Sequence, residues 1–207
     1  MPDIKHFDPD AALEAAMQLF WRQGASSTGI QEVVTATGLN RSSLYSTFGG
    51  KQQLYLSALR RYAEQRADVA YRAIAEDERG LPAVEEFFEA LVEVRCTGEH
   101  ARWGCMITNA IAAGENGDPD VGAVLDEQYR ALTDALEQAL VTADRLGLLA
   151  PAPAAAPRAA AEVLVLLAYG VNLRSRAGAE PAELRRTVAT ALGTLRVPKR
   201  AAGDGGR

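Results

Sequence analysis

Helical periodicity governs this chain almost without competition. No run of alternating Val, Ile, Thr or aromatic residues is bounded by a hairpin turn, while Ala, Leu, Glu, Arg and Gln dominate, so the sequence predicts an all-α fold. Asp8 followed by Pro9 supplies an N-cap and a first helical position, and Leu13, Ala16, Met17 and Phe20 then share one face until Gly24. Thr28 with Gln31 three residues on fits a capping box; the short helix it opens carries Ile30, Val33 and Val34 and stops at Gly38. Asn40 caps a third helix, with Leu39 and Leu44 at the staple positions around it, which runs to Phe48. Beyond Gly49-Gly50, one helix from Lys51 to about Ala75 would span roughly 37 Å, enough to connect two lobes. Further helices are expected at 82–97, 104–113, 119–145, 158–176 and 181–196. They are separated by Gly80-Leu81-Pro82, Gly114 to Pro119 and the Pro/Ala stretch at 151–157. About nine helices result. The expected division is a three-helix unit over 1–50, a second helical domain over 51–197, and a disordered tail over 198–207 with no apolar periodicity.

A chain of 207 residues with 48% hydrophobic and 24% charged residues can bury a sizeable core and is neither fibrous nor wholly disordered. Its longest nearly pure apolar stretch, Val163 to Val171, is too short to span a bilayer, so no membrane partner is expected. The first ten residues have neither a basic n-region nor an apolar h-region, and two cysteines make no disulfide framework; the expected setting is cytoplasmic and reducing. A net charge of −5 argues against non-specific nucleic-acid binding by the whole surface. The charge is segregated, however: residues 1–66 hold seven Lys/Arg against six Asp/Glu, and residues 67–207 hold fifteen against twenty-one. That is the direction expected if the first segment meets a polyanion.

Residues 28–48 form two short helices about a tight Gly38-Leu39-Asn40 turn, the spacing of a helix-turn-helix. If Leu44 and Phe48 face inward at 100° per residue, Ser42, Ser43 and Ser46 point outward and Tyr45 sits on the flank. Small hydroxyls on that face allow close approach to a duplex and can bond phosphates or base edges, and Tyr45 can add a hydroxyl to phosphate. Asn40 with the free amides at the helix N-terminus offers another phosphate site, and Lys51 adds a positive charge. The same geometry would also serve an ordinary three-helix bundle with a solvated serine face. The run Thr28-Gly29-Ile30-Gln31-Glu32-Val33 through Gly38-Leu39-Asn40-Arg41-Ser42-Ser43-Leu44-Tyr45-Ser46-Thr47-Phe48-Gly49-Gly50-Lys51-Gln52-Gln53-Leu54 resembles the DNA-binding segment of the TetR family of transcriptional repressors. The resemblance extends from about Asp8 to Leu54. It implies an all-α homodimer in which three N-terminal helices bind an operator in double-stranded DNA, the fourth links them to a ligand-binding core, and the last two pair across a dimer interface. The candidate DNA-binding residues are then Thr28, Gln31, Asn40, Arg41, Ser42, Ser43, Tyr45, Ser46, Thr47 and Lys51. Thr47 departs from the family, which commonly has His or Tyr before the Phe.

In the C-terminal region, Leu184, Val188, Ala191, Leu192 and Leu195 form one stripe, and Val163 to Leu167 is apolar on nearly all sides. Such surfaces either cover the chain's own core or, as the resemblance implies, form a four-helix contact between protomers over 158–197. Between 87 and 132, Leu91, Ile107 and Leu132 with Thr108 accompany the residues taken as candidates for an unidentified small-molecule effector: Phe87, Phe88, Trp103, Cys105, Met106, Asn109 and Tyr129. Core packing is the competing use of all of them. Cys105 is expected in the first turn of a helix, where the dipole favours a thiolate. The Gly-Cys-Met opening is similar to one branch of the family, some of whose members sense oxidants or electrophiles; a free cysteine is equally often a small buried hydrophobe. Cys96, His100 and Cys105 lack the fourth ligand of a structural zinc, so neither metal nor cofactor is expected. No phosphate-binding glycine loop follows a strand, no Gly-x-Ser-x-Gly elbow occurs, and His6 and His100 lack an evident nucleophile partner. The sequence therefore reads as a non-enzymatic regulator released from a palindromic operator by a small-molecule or electrophile signal. The alternatives are a thiol-dependent enzyme using Cys105 and a helical interaction module that binds no DNA.

Overall fold

The computed structural model describes residues 8–150 and 156–197. In chain order the helices are α1 (Pro9–Gln23), α2 (Ile30–Thr37), α3 (Arg41–Phe48), α4 (Lys51–Tyr62), α5 (Asp68–Ala75), α6 (Leu81–Cys96), α7 (Met106–Ala112), α8 (Pro119–Arg145), α9 (Pro157–Arg176) and α10 (Pro181–Gly193). A π-helical stretch, Ala63–Ala67, joins α4 to α5 without a break, and a 3₁₀ turn, Glu115–Gly117, leads into α8. Counting α4 to α5 as one rod gives nine helical rods among the described residues, in the expected order. Residues 151–155, His6 and the tail from 198, expected to be disordered, lie outside the described residues.

Local chemistry explains most of the boundaries. The Asp8 carboxylate accepts from the backbone N–H of Asp10 at 2.9 Å, and Asn40 Oδ1 accepts from Ser43 at 2.8 Å, so α1 and α3 begin where free helical amides find side-chain acceptors. At α2 the expectation is corrected by one residue. Gly29 is the N-cap, and the Glu32 carboxylate, three residues into the helix, accepts from the Gly29 N–H at 2.7 Å. Thr28 is buried, and its hydroxyl donates back to the Gly24 carbonyl at 2.7 Å, satisfying a backbone group that would otherwise be stranded at the end of α1.

The interior divides into two apolar clusters. The first unites α1 to α4 with Met106, Ile107 and Ala110 of α7 and Val121, Val124 and Leu125 of α8. The second unites Ile74, α6, the rest of α8, α9 and α10. The first three helices therefore share their core with α7 and α8, and the packing runs straight across residue 50.

Of the two uses open to the stripe on α10, the structure takes the first. Leu184, Val188 and Leu192 are buried in the second cluster, with Leu195 packed against it, so this face covers the chain's own core. The apolar residues left in solvent lie on the outer side of α9: Val163 is 63% exposed, Leu166 66% and Leu173 41%. Their spacing of three and seven residues puts them on one helical stripe. Leu192→Asp would replace a buried apolar side chain of the second cluster by a carboxylate, at a cost of about 3 kcal/mol. It should therefore lower the thermal midpoint of unfolding by many degrees in a calorimetric scan, whatever the oligomeric state.

Candidate nucleic-acid interface and core cavity

α3 presents the outward face expected of it. Leu44 is fully buried and Phe48 packs against the first cluster, which turns Arg41, Ser42, Tyr45, Ser46 and Thr47 to solvent, with Gln31 of α2 and the capping residue Asn40 exposed beside them. Ser43 is partly buried, its amide held by Asn40. Tyr45 is 58% exposed. Its ring lies over Gly50, where φ is +122° and an added Cβ would come 3.0 Å from the ring edge, so only glycine lets the tyrosine rest there. The Ser46 hydroxyl donates to the Ser43 carbonyl at 3.1 Å.

Two candidate contacts do different work. Thr28 is buried behind this face and cannot reach a duplex in this conformation. The Lys51 ammonium donates to the carbonyls of Ala25 at 3.0 Å and Thr28 at 2.8 Å, so it clamps the α1–α2 loop to the start of α4. Residues 25 and 26 are further held by Glu115, whose carboxylate accepts from the Ala25 N–H at 3.2 Å, from the Ser26 hydroxyl at 3.4 Å and from the Tyr55 hydroxyl. Burial, with that carboxylate beside it, pushes the Tyr55 hydroxyl far above its ordinary range, which keeps it a donor.

Behind the N-terminal helices, a cavity of about 60 Å³ lies between the π stretch, α5, α6, α7, α8 and α9. Of the effector candidates, Phe87 and Cys105 line it, together with Leu91, Ile107, Thr108 and Leu132. The others do not. Phe88 is buried in the second cluster, Met106 is buried in the first, and Tyr129 is a part-exposed residue of α8. Trp103 packs edge-on against Trp21 at 5.3 Å, and the Asn109 amide donates to the Trp103 carbonyl at 2.8 Å. Cys105 is the N-cap of α7 and is buried, one position ahead of the first turn expected for it. Sequence reasoning missed Tyr62, Arg66, Tyr71, Arg95, Tyr169 and Asn172, all of which line the cavity. One signal was readable: Arg95 continues the apolar Phe87-Leu91 stripe of α6 at i+8, where a charge is out of place.

Trp21 joins the cavity to the N-terminal helices. Its indole N–H donates to the Gly104 carbonyl at 2.9 Å, its ring stacks on His100 at 4.8 Å, and Tyr62 meets it edge-on at 5.0 Å. Gly104 has φ +68°, and a Cβ there would come 2.9 Å from Asn109 Oδ1. Arg176 of α9 fastens the same junction, donating to the Trp103 carbonyl at 2.8 Å and the Arg22 carbonyl at 3.0 Å.

A solvent-facing second helix in a helix-turn-helix, carried on a helical core with an internal cavity, defines a DNA-binding transcriptional regulator. Residues 12–58 match the family described as bacterial regulatory proteins, tetR family. The chain is 28% identical over 189 residues to the HTH-type transcriptional repressor ComR of Escherichia coli (strain K12), covering 91% of this chain and 89% of that protein. Its fold is similar to that of a cysteine mutant of the TetR family transcriptional regulator CifR solved with 26-bp operator DNA, with a TM-score of 0.79 at 21% identity over 92% of this chain and 98% of the other. It is also similar to the reduced form of E. coli NemR, with a TM-score of 0.74 at 18% identity over 91% and 98%.

Lys51→Met tests the clamp without any DNA present. Removing the ammonium leaves two loop carbonyls without their donor, so urea unfolding should report a loss of about 1–3 kcal/mol. Unchanged stability would return Lys51 to the role of a free phosphate contact.

Proposed function

We propose that the protein is a homodimeric transcriptional repressor, acting in the cytoplasm, that reads a pseudo-palindromic operator with α3 of each protomer and releases it when a small molecule, or an electrophile reaching Cys105, occupies the cavity. The observation that carries this reading is the exposed face of α3, where Arg41, Ser42, Tyr45, Ser46 and Thr47 stand clear of a helix anchored by Leu44. In this reading Ser42 and Ser46 approach base edges, Tyr45, Arg41 and Asn40 hold phosphates, and Gln31 and Thr47 flank them. Thr28 and Lys51 fix the loop behind the reading helix rather than touching DNA. The first fifty residues serve as the reading head and residues 51–197 as the sensing and pairing domain, with the shared α7–α8 packing as the coupling between them. A reading helix of eight residues covers too few base pairs to specify a site alone, so two copies must share the task.

The second copy fits the outer stripe of α9. Val163, Leu166 and Leu173 form an apolar face without cover in the single chain, and pairing of two such faces buries both.

Selection of binding sites from random duplexes should enrich an inverted repeat, and affinity should fall steeply with salt. Tyr45→Ala should weaken binding about tenfold or more on every sequence, whereas Ser42→Ala should change the preferred sequence, both read by fluorescence anisotropy. A selection that enriches nothing defeats the reading. Leu166→Asp should give a monomer with an unchanged circular dichroism spectrum in light scattering, because the side chain is exposed in the isolated chain. A dimer that persists would place the contact elsewhere.

A further inference from the structure

The cavity holds positive charge that its walls do not balance. Arg95 enters from α6; its Nε donates to Asn172 Oδ1 at 2.7 Å and one Nη donates to the Tyr62 hydroxyl at 3.2 Å. Neither partner is an anion, and a guanidinium carries five N–H donors, so three are left over. Arg95 takes part in none of the ion pairs among the described residues. The contrast lies within one helix: Glu85, Glu89 and Glu93 on the outer side of α6 pair with Arg196 and Arg185, while Arg95 on the inner side has no carboxylate. Arg66 of the π stretch reaches the same cavity, its guanidinium 5.0 Å over the Trp21 ring, and it too forms no ion pair among the described residues. No Asp or Glu lines the space.

The remaining walls are apolar at Phe87 and Leu91 and bear neutral hydroxyls at Tyr71 and Tyr169. Burial pushes the Tyr169 hydroxyl up to about 12 and Tyr71 well above its ordinary range, so both remain hydrogen-bond donors at neutral pH. A space of about 60 Å³ admits a few water-sized groups.

We infer that the cavity binds a small carboxylate of about two to four carbons, its oxygens on the Arg95 guanidinium and its short tail against Phe87 and Leu91. This names the effector class of the proposed sensing cavity and rests on that reading. The site is coupled to the reading head by contacts already in place, because Arg95 holds the Tyr62 hydroxyl and the Tyr62 ring meets Trp21 of α1. A carboxylate that draws the guanidinium away from Tyr62 loosens the packing on which α1 rests.

Titration calorimetry on the full chain with sodium propionate, against propionamide at the same ionic strength, tests it. Propionate should bind saturably and propionamide at least tenfold more weakly. Arg95→Met should lose propionate binding by tenfold or more. Ala70→Leu, which fills the cavity and leaves the guanidinium intact, should lose it as well, so the test survives if Arg95→Met fails to fold. Equal binding of acid and amide, no propionate binding by the wild type, or wild-type affinity in either folded variant overturns the inference. Operator affinity, measured separately by anisotropy, keeps the two readings apart. Propionate failure with operator binding intact strikes this inference alone, and operator failure with propionate binding intact strikes the repressor.

Discussion

The burial of Trp21 is the constraint on which the rest of the structure hangs. One side chain from the first helix meets the loop before α7 through its indole N–H, the long α4 rod through Tyr62, and α6 through Arg95, whose guanidinium lies 6.0 Å from its ring. His100 and Trp103 close the remaining sides at 4.8 and 5.3 Å. Aromatic pairs of this kind contribute about 0.5–1.5 kcal/mol each beyond the area they bury, and Trp21 makes three of them at once. The loop can take this shape only because residue 104 is glycine. The N-terminal helices are therefore placed by packing against the core rather than tethered to it by a linker.

That placement changes how motion can pass through the molecule. A reading head with a closed core of its own could swivel freely, whereas here α1 to α4 share a cluster with α7 and the first turns of α8. Glu115 and Asp118 at the start of α8 add polar ties, Glu115 to the α1–α2 loop and Asp118 to Gln52 of α4 at 3.0 Å. The head is consequently held at two levels, by Trp21 near the cavity and by Glu115 at the α1–α2 loop and Tyr55 of α4. Between the two levels and the cavity runs the α4–α5 rod, whose only departure from α-helical pairing is the π stretch Ala63–Ala67, with Arg66 and Ala67 on the cavity wall. Single π turns inside α-helices occur frequently at functional sites, and this one lies on the cavity wall.

The helices were legible in the sequence because their ends are local chemistry. Asp118-Pro119 opening α8 and Asn40 opening α3 act over three residues or fewer. The one-residue error at α2 arose because Thr28 and Gln31 fit the same pattern as Gly29 and Glu32, and the choice depended on the Gly24 carbonyl that the Thr28 hydroxyl meets, which the pattern does not contain. The outward face of α3 followed from Leu44 and Phe48 alone. The α10 stripe was visible as an apolar face but its partner was not, since periodicity says that Leu184, Val188 and Leu192 are covered without saying by which chain. The cavity was the least legible part. Arg95 and Asn172 stand 77 residues apart and Arg95 and Tyr62 stand 33 apart, so their meeting is a property of helix packing that no spacing within one helix encodes.

Packing of this kind also sets how strong a signal must be. To change operator affinity about a hundredfold, an effector has to favour the released conformation over the bound one by about 3 kcal/mol. A charge-assisted hydrogen bond contributes about 1.5–3 kcal/mol, so a contact made on Arg95 in one conformation and lost in the other is of the required size without help from a large ligand. The same arithmetic limits where such a contact can act. A ligand that met only Phe87 and Leu91 would bind both conformations nearly alike if those side chains kept their places in α6, and equal affinity shifts no equilibrium. Arg95 differs because it is shared: the guanidinium that faces the cavity is the one that holds the Tyr62 hydroxyl, and the Tyr62 ring is one wall of the Trp21 site. A group that competes for that guanidinium acts on a contact of α1, and α1 shares the first cluster with α4, on which the reading helix packs.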